Sequence, residues 1–520
     1  MNLNDLFAIA RHRAPGRTAL RFAAAGRELT YEELFAAADR LAAALARREI
    51  GGIGKGDRVA LFLGNRPELV IAYLALLRLG AVLVPINLAY RRREIAHVLA
   101  DAEPRLLLSE SSQLPVLAEL TAEERAGIEV LLAEDLVAIS ARPARFASDT
   151  GAPGLAFPSF PLVLGDDLAL LLYTSGTTGR SKGAMLSHAN LLATVTGLLA
   201  AWAWEREDVL LLALPLFHTH GLVVGLTTAL AAGATVDLHP RFEAARVAAA
   251  LAEGDATLFF GVPTMYVRLV EELRRTGTGP ALARLRLCCS GSAPLAPETF
   301  AAFSALTGQT ILERYGMTET GMNLSNPYAG PRVPGEVGTP LPGVSIRIVD
   351  GEGRDLPAGG EGELLVRGSN VFSGYWRAPG KTAESFVHDA LGRRWFRTGD
   401  LARQDATTGA VTLLGRSSEL ILSGGFNIYP REVEEVLVSY PGIPGIREAA
   451  VVGRPHPEWG EVPVAYLVAD SGAGKGGWEG ELLAYLKGQL AGFKVPRTFH
   501  YLEALPRNAL GKVQKRALPL

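Results

Sequence analysis

Residues 59–63 are a short apolar run, residues 67–79 have helical periodicity with Pro67 in the first turn and Gly80 placed to end the helix, and residues 81–86 are apolar again. Two strands joined by a covering helix pair in parallel, because the crossover returns the chain to the same edge. This one βαβ unit commits the chain to a sheet with helices over it. Similar alternation continues at 168–173, 209–214, 257–260 and 285–289, so the expected class is α/β, with doubly wound sheets in a large N-terminal domain. From about 335 to 414 the pattern changes to short strands and turns, as at 344–349 and 363–366, which predicts a β-rich, barrel-like subdomain. A glycine turn at Gly424 and Gly425, a helical start at 430–437, an apolar strand at 449–452 and a helix at 482–490 predict a small, mobile α+β C-terminal domain. The expected division is 1–415, a hinge at 416–419 in a polar stretch, and 420–520.

The apolar region 69–89 has the length of a membrane span, but Arg78, Gly80 and Pro85 divide it, so a buried helix feeding a strand is expected instead. With 52 Lys+Arg against 54 Asp+Glu and a net charge of −2, nothing draws the whole chain to nucleic acid or anionic lipid, and an anionic ligand has to be met by a local site. A hydrophobic fraction of 48% excludes disordered and collagen-like classes. The two cysteines, Cys288 and Cys289, are adjacent and cannot close an unstrained disulfide, and they sit in an apolar strand pattern. A reducing cytoplasm is the expected location. Asp5, Arg11 and Arg13 interrupt the opening segment, against a secretory leader. The glycines at 52–56 and 472–477 are expected to be an ordinary loop and a connector, and 143–161 a surface loop.

The strongest local signal is the run from Tyr173 through Thr174, Ser175, Gly176, Thr177, Thr178, Gly179, Arg180, Ser181 and Lys182 to Gly183, placed between an apolar strand and a helix expected near Asn190. Glycines let backbone approach a phosphate closely, hydroxyls and amides donate to it, and the two cations offset its charge. The Walker spacing is absent. Lysine is scarce here, eight among 52 basic residues, so one in a glycine-rich loop is informative.

Further along come Tyr315-Gly316-Met317-Thr318-Glu319-Thr320, Arg397-Thr398-Gly399-Asp400, Gly415-Arg416 and Gly511-Lys512-Val513. Together with the glycine loop, these five in order resemble the adenylate-forming acyl-CoA synthetase superfamily across essentially the whole chain. The resemblance implies ATP-dependent activation of a carboxylate, with Mg²⁺ on the phosphates, followed by thioester formation with CoA. Attack on the α-phosphorus of a polyanion needs cations beside the reacting oxygens. The resemblance assigns Lys512 to the acid carboxylate and α-phosphate, Thr318 to phosphate and Glu319 to Mg²⁺. Tyr315 offers a flat face for adenine and Asp400 a carboxylate for the ribose hydroxyls. Gly316 belongs to the same nucleotide motif, Gly291, Ser292 and Ala293 resemble the other adenine-side loop, and Arg416 matches a ribose-phosphate contact. Gly424 and Gly425 match the surface the small domain turns toward CoA. Two departures from the family are Ser418, at a hinge position where Asp or Lys is common, and Ser181, where Pro is common.

The segment 214–221, with His218 and His220, lies where the family builds its acid pocket, and it holds no carboxylate to pair an ammonium. An amino acid substrate is disfavoured. The runs 313–328 and 332–344 resemble malonyl-CoA and methylmalonyl-CoA synthetases. A dicarboxylate substrate leaves one carboxylate to be received by a fixed cation and donors. The expected receiver is Arg286, with His218 as a second contact and Met317 also on the acid side. The expected function is an ATP-dependent malonate–CoA ligase, also active on methylmalonate, forming malonyl-CoA, AMP and pyrophosphate. The alternatives are a medium-chain or aromatic monocarboxylate ligase, or a noncatalytic nucleotide sensor.

Overall fold

The computed structural model describes residues 1–47, 51–125, 127–136, 160–174, 181–423, 426–442, 445–456, 459–469, 478–490, 492–508 and 511–519. Contacts divide the chain into two compact units, Met1–Ser345 with Val366–Phe396, and Ile346–Leu365 with Arg397–Leu520.

In the first unit the strand Arg58–Phe62, the helix Pro67–Leu79 and the parallel strand Val82–Pro85 form the expected βαβ unit. Gly80 ends the helix at φ 65°, a left-handed conformation that penalises a Cβ. The helix is buried on nearly every side, and even Glu68 is 3% exposed, with Arg27 and Arg66 on its carboxylate. That enclosure explains its membrane-like composition. No helix among the described residues is long and apolar enough to cross a membrane.

A seven-stranded sheet runs in the order Gly374–Tyr375, Lys182–Ser187, Leu168–Thr174, Val82–Pro85, Arg58–Phe62, Leu106–Ser109, Glu129–Leu132. The pairings from Leu168–Thr174 onward are parallel, whereas Lys182–Ser187 is antiparallel to both its neighbours. The sheet is mixed where a parallel one is expected, and the glycine loop joins two antiparallel strands ahead of the helix expected near Asn190. The helix His188–Ala201 begins only afterwards, with Ser187 and Asn190 forming its capping box.

The second sheet of this unit holds a parallel block, Thr235–Leu238, Val209–Leu212, Leu258–Gly261, Leu287–Ser290 and the start of Ile311–Met317. Parallel pairing brings the C-terminal ends of these strands to one edge, where α/β sheets bind ligands. Ile311–Met317 then turns back into Gly321–Ser325, which pairs with Glu336–Pro340. Cys288 and Cys289 are free and buried in the block, and burial pushes the Cys288 thiol up to about 12.

The long strand Arg394–Gln404, which belongs to the second unit from Arg397 onward, pairs antiparallel with Val411–Arg416. Beyond them a five-stranded sheet carries the helices Pro430–Val438 and Glu479–Gln489, packed through Val433, Leu437, Leu482 and Leu486. The whole is an α/β fold with a large N-terminal and a small C-terminal part, as the sequence predicts.

Candidate active site

Thr174 ends its strand directly opposite Lys182, which begins the next. Ser175, Gly176, Thr177, Thr178 and Gly179, between them, lie outside the described residues. Lys182 Nζ sits 5.4 Å from the ring centre of Tyr375, whose hydroxyl donates to Glu319 Oε1 at 3.0 Å. The structure therefore brings the cation after the glycine loop and the motif carboxylate to one tyrosine, the first at its ring and the second at its hydroxyl. No local sequence signal singles out Tyr375. It reaches the site because Gly374–Tyr375 adds as an edge strand, with Tyr375 opposite Ala184.

Thr318, Glu319 and Thr320 form the turn between Ile311–Met317 and Gly321–Ser325. A side chain at Gly316 would collide with the Gly321 carbonyl, so the close approach of the two strands requires glycine there. Glu319 is 7% exposed, and its backbone carbonyl accepts from Phe372 N at 2.8 Å. Tyr315 is also buried, while Met317 is half-buried against the main core. Among the described residues no cluster of three or more His, Cys, Asp or Glu could cage a metal. A single well-buried carboxylate fits Mg²⁺ that arrives with a nucleotide and takes its remaining ligands from phosphate and water.

A second group of buried polar residues lies at the C-terminal edge of the parallel block. Ser290 pairs with Glu313, so Arg314 on the neighbouring strand comes level with Gly291. The Arg314 guanidinium occupies the space a Gly291 side chain would need. Arg314 is 4% exposed, and its Nε and Nη2 have no hydrogen-bond partner. Burial lowers its pKa, yet a guanidinium stays charged. The neighbouring Cys289 thiol is held protonated by its own burial and supplies no counter-charge. His220 is buried beside this cation, with its Nδ1 3.4 Å from Ser292 Oγ and its Nε2 without a partner. Its backbone N–H donates to His218 Nδ1 at 3.3 Å. Burial first, and then the charge of Arg314, bring His218 down to about 4 and lower His220 as well. Both imidazoles are neutral at pH 7. Ser292, with φ 73°, follows Gly291 in a strained turn, and Ala293 comes next.

Arg286 is not part of this group. Asp208, Thr257 and Arg286 each stand one residue before a strand of the parallel block, at its N-terminal edge. Arg286 Nε donates to Asp208 Oδ1 at 2.6 Å, its Nη2 pairs with Asp208 Oδ2, and its Nη1 donates to the Trp202 carbonyl at 3.2 Å. Thr257 Oγ1 donates to the same carboxylate at 2.8 Å. The four-residue strand Leu287–Ser290 separates Arg286 from Gly291, about 16 Å at strand rise. The expectation that Arg286 receives a substrate carboxylate is corrected: its charge is already matched, at the wrong end of the strand. At the other end of the block the buried cation with unpartnered donors is Arg314, which stands inside the run 313–328 but is not singled out by the sequence.

In the second unit, Asp400 and Arg416 are register partners, joined by a 2.7 Å ion pair. Arg416 Nη1 also donates to the Thr398 carbonyl at 2.9 Å, and Asp400 N donates to Thr398 Oγ1 at 3.0 Å. Lys512 follows Gly511, whose φ is 78°. Asn508 clasps this turn, its Oδ1 accepting from Lys512 N and its own N–H donating to the Lys512 carbonyl, both at 2.9 Å. Burial, and then the charge of Arg416, lower the Lys512 pKa, while Asp400 and Glu419 partly oppose them. Lys512, Arg416 and Asp400 are thus close enough to act on each other electrostatically. Gly424 and Gly425 lie outside the described residues.

Family models place an AMP-binding enzyme domain over residues 7–376 and an AMP-binding enzyme C-terminal domain over 432–512. The chain is 36% identical over 524 residues to the mitochondrial malonate–CoA ligase of Mus musculus, covering 94% of this chain and 86% of that protein. It is equally 36% identical over 505 residues to a feruloyl-CoA synthase of Amycolatopsis sp, covering 96% and 95%. The crystal structure of ATP-bound MatB from Rhodopseudomonas palustris superposes with a TM-score of 0.86 at 41% identity, over 99% of this chain and 98% of that one. With these matches spanning both units and the motif residues grouped as described, the chain belongs to the AMP-binding enzyme family, as one of its AMP-forming acid–CoA ligases.

Proposed function

We propose that the protein activates malonate, and methylmalonate with it, in the cytoplasm: malonate, ATP and CoA give malonyl-CoA, AMP and pyrophosphate. The observation that carries this reading is Arg314, a buried cation with two N–H groups lacking partners beside two neutral histidines. A buried charge without a counter-ion is costly, and a carboxylate bound there would relieve that cost while satisfying the orphan donors. A monocarboxylate with an apolar tail would leave it in place. Similarity to a malonate–CoA ligase and to MatB supports the same substrate class, whereas similarity to a feruloyl-CoA synthase favours the aromatic alternative.

In this reading one malonate carboxylate attacks the α-phosphorus and pyrophosphate leaves; the CoA thiolate then attacks the acyl carbon of malonyl-AMP and AMP leaves. Lys512 steadies the attacking carboxylate and the α-phosphate. Thr174, Thr318 and Lys182, with the residues 175–179, receive the phosphates, and Glu319 holds the Mg²⁺ that offsets their charge. Tyr315, Gly316, Gly291, Ser292 and Ala293 receive adenine, Asp400 and Arg416 the ribose and its phosphate. His218, His220 and Met317 line the acid pocket around Arg314. Residues 416–419 are the hinge on which 420–520 present Gly424 and Gly425 to CoA for the second step.

The test is competition: the protein is incubated with ATP, Mg²⁺, CoA and equal malonate, methylmalonate, succinate, butyrate and ferulate, and the acyl-CoA products are weighed by mass spectrometry. Malonyl-CoA should dominate, with AMP as the nucleotide product. In Arg314→Met, malonate kcat/KM should fall by about 10²- to 10³-fold, the scale of breaking a buried charge pair, with butyrate turnover maintained. Feruloyl- or butyryl-CoA as the main product would replace malonate as the substrate, and an unmodified CoA pool would remove the ligase reading.

A further inference from the structure

We propose that His97 and Asp101, one turn apart on the helix Arg92–Ala102, are positioning residues for adenylation, holding the two strand ends that carry Thr174 and Lys182. The inference rests on the reading of Thr174 and Lys182 as phosphate contacts. His97 Nε2 lies 2.7 Å from the Ser181 carbonyl oxygen. A carbonyl can only accept, so Nε2 carries the proton. Four residues on, Asp101 Oδ2 accepts from the Tyr173 hydroxyl at 2.6 Å. Ser181 immediately precedes Lys182 and Tyr173 immediately precedes Thr174, so one helix face grips both sides of the hairpin at the end where the connecting loop leaves and re-enters it. The His97 ring also meets the Tyr173 ring edge-on, with centroids 6.1 Å apart.

The end of a strand pair frays unless something outside the pair holds it. Here the helix supplies that hold, and it extends to the other partner of Lys182. Trp376 Nε1 donates to the Asp101 carbonyl at 3.0 Å, and Trp376 N donates to the Gly183 carbonyl at 2.8 Å. Trp376 follows Tyr375, which stands between Lys182 and Glu319. Arg377 and Glu103 close the strap with a two-pronged ion pair at 2.8 and 2.6 Å, although both residues have positive φ, 50° and 45°. Two strained residues locked to each other fix the backbone on either side of this junction.

The variants His97→Phe and His97→Gln separate the hydrogen bond from the packing, since Phe keeps the ring contact and Gln keeps a donor. The readouts are KM for ATP in pyrophosphate exchange, and CoA thioester formation from supplied acyl-AMP, which needs no triphosphate contact. His97→Phe should raise KM for ATP by about 5-fold, the scale of one hydrogen bond, and leave the thioester step within 2-fold of the parent, as one disturbed contact set predicts. His97→Gln should restore most of the KM. Tyr173→Phe should raise KM similarly, and combining it with His97→Phe should give less than the product of the two effects, because they hold one hairpin end. Lys182→Ala serves as the control for the underlying reading. If it leaves KM for ATP unchanged, Lys182 is not a phosphate contact and the reading itself fails. If Lys182→Ala raises KM but His97→Phe does not, or if His97→Phe slows both half-reactions equally, the positioning role is overturned while the reading stands.

Discussion

Arg286 and Arg314 carry the same charge beside neighbouring strands, and their surroundings decide what each can do. Arg286 is tied into Asp208, which is 3% exposed and also accepts from Thr257. Replacing Arg286 with Met strands a buried carboxylate, which should cost about 3 kcal/mol or more of unfolding free energy. The malonate preference of the protein that remains folded should not change. Denaturant midpoints and the product ratio from mixed acids check both halves, and a lost preference with unchanged stability would return Arg286 to the pocket. His188 makes a different residue-scale case. It is fully buried, neither ring nitrogen has a hydrogen-bond partner, and burial brings its pKa down to about 4 from 6.5. Between those values the unfolded chain binds a proton that the folded chain does not, so acidification destabilises the fold, by at most about 1.4 kcal/mol per pH unit for this group. The effect begins as pH falls through 6.5 and is complete below 4. His188→Leu should make the slope of unfolding free energy against pH between 6 and 5 shallower by up to one proton's worth. An unaltered slope would mean that His188 titrates normally in the native state.

At the scale of elements, the hairpin that presents Thr318 and Glu319 depends on the close approach at Gly316. Gly316→Ala pushes a methyl group into the Gly321 carbonyl and the Met322 side chain, so the strands must part and the turn must move. Adenylation should fall at least 100-fold, the scale reached when a positioned group shifts by about 1 Å. Pyrophosphate exchange measures this, and near-parental activity would show that the turn tolerates displacement. The same hairpin marks the boundary of what the sequence makes legible. The helix Pro67–Leu79 is readable to its ends because period, Pro67 and Gly80 are all local signals. Lys182–Ser187 is not, because its strand character comes from pairing with Leu168–Thr174 and Gly374–Tyr375. Motif residues such as Glu319 and Lys512 are adjacent to their own signals. Tyr375, His97 and Asp101 reach the surroundings of Lys182 through pairings between segments far apart in the chain. Arg286 shows a related limit: standing next to a motif does not tell which end of the strand a residue occupies, and α/β sheets bind ligands at the C-terminal ends of their strands, whereas Arg286 stands at the N-terminal end of Leu287–Ser290.

At the scale of the whole molecule, the chain crosses three times between its two compact units, at Ser345, Leu365 and Phe396, and returns Lys512 to the second unit close to its end. The two reaction steps make different demands on that lysine. Adenylation brings a carboxylate to an α-phosphate and needs a cation to lessen their repulsion, whereas thioester formation begins from an adenylate whose pyrophosphate has already gone. Lys512→Ala should therefore reduce pyrophosphate exchange by about 10²-fold or more, the scale of removing one electrostatic stabiliser, with thioester formation from supplied acyl-AMP reduced far less. The pKa of Lys512 adds an independent check. Burial and Arg416 lower it from 10.5, so its charge is lost earlier than that of an exposed lysine as pH rises. Adenylation in the parent should decline on the alkaline side below pH 10.5, and Lys512→Arg, whose guanidinium stays charged, should remove that limb even where its overall rate is lower. The thioester step measured over the same range should lack this alkaline limb in both proteins. An alkaline decline that persists in Lys512→Arg would assign the titration to another group, and equal losses in both half-reactions of Lys512→Ala would end the division of labour between them.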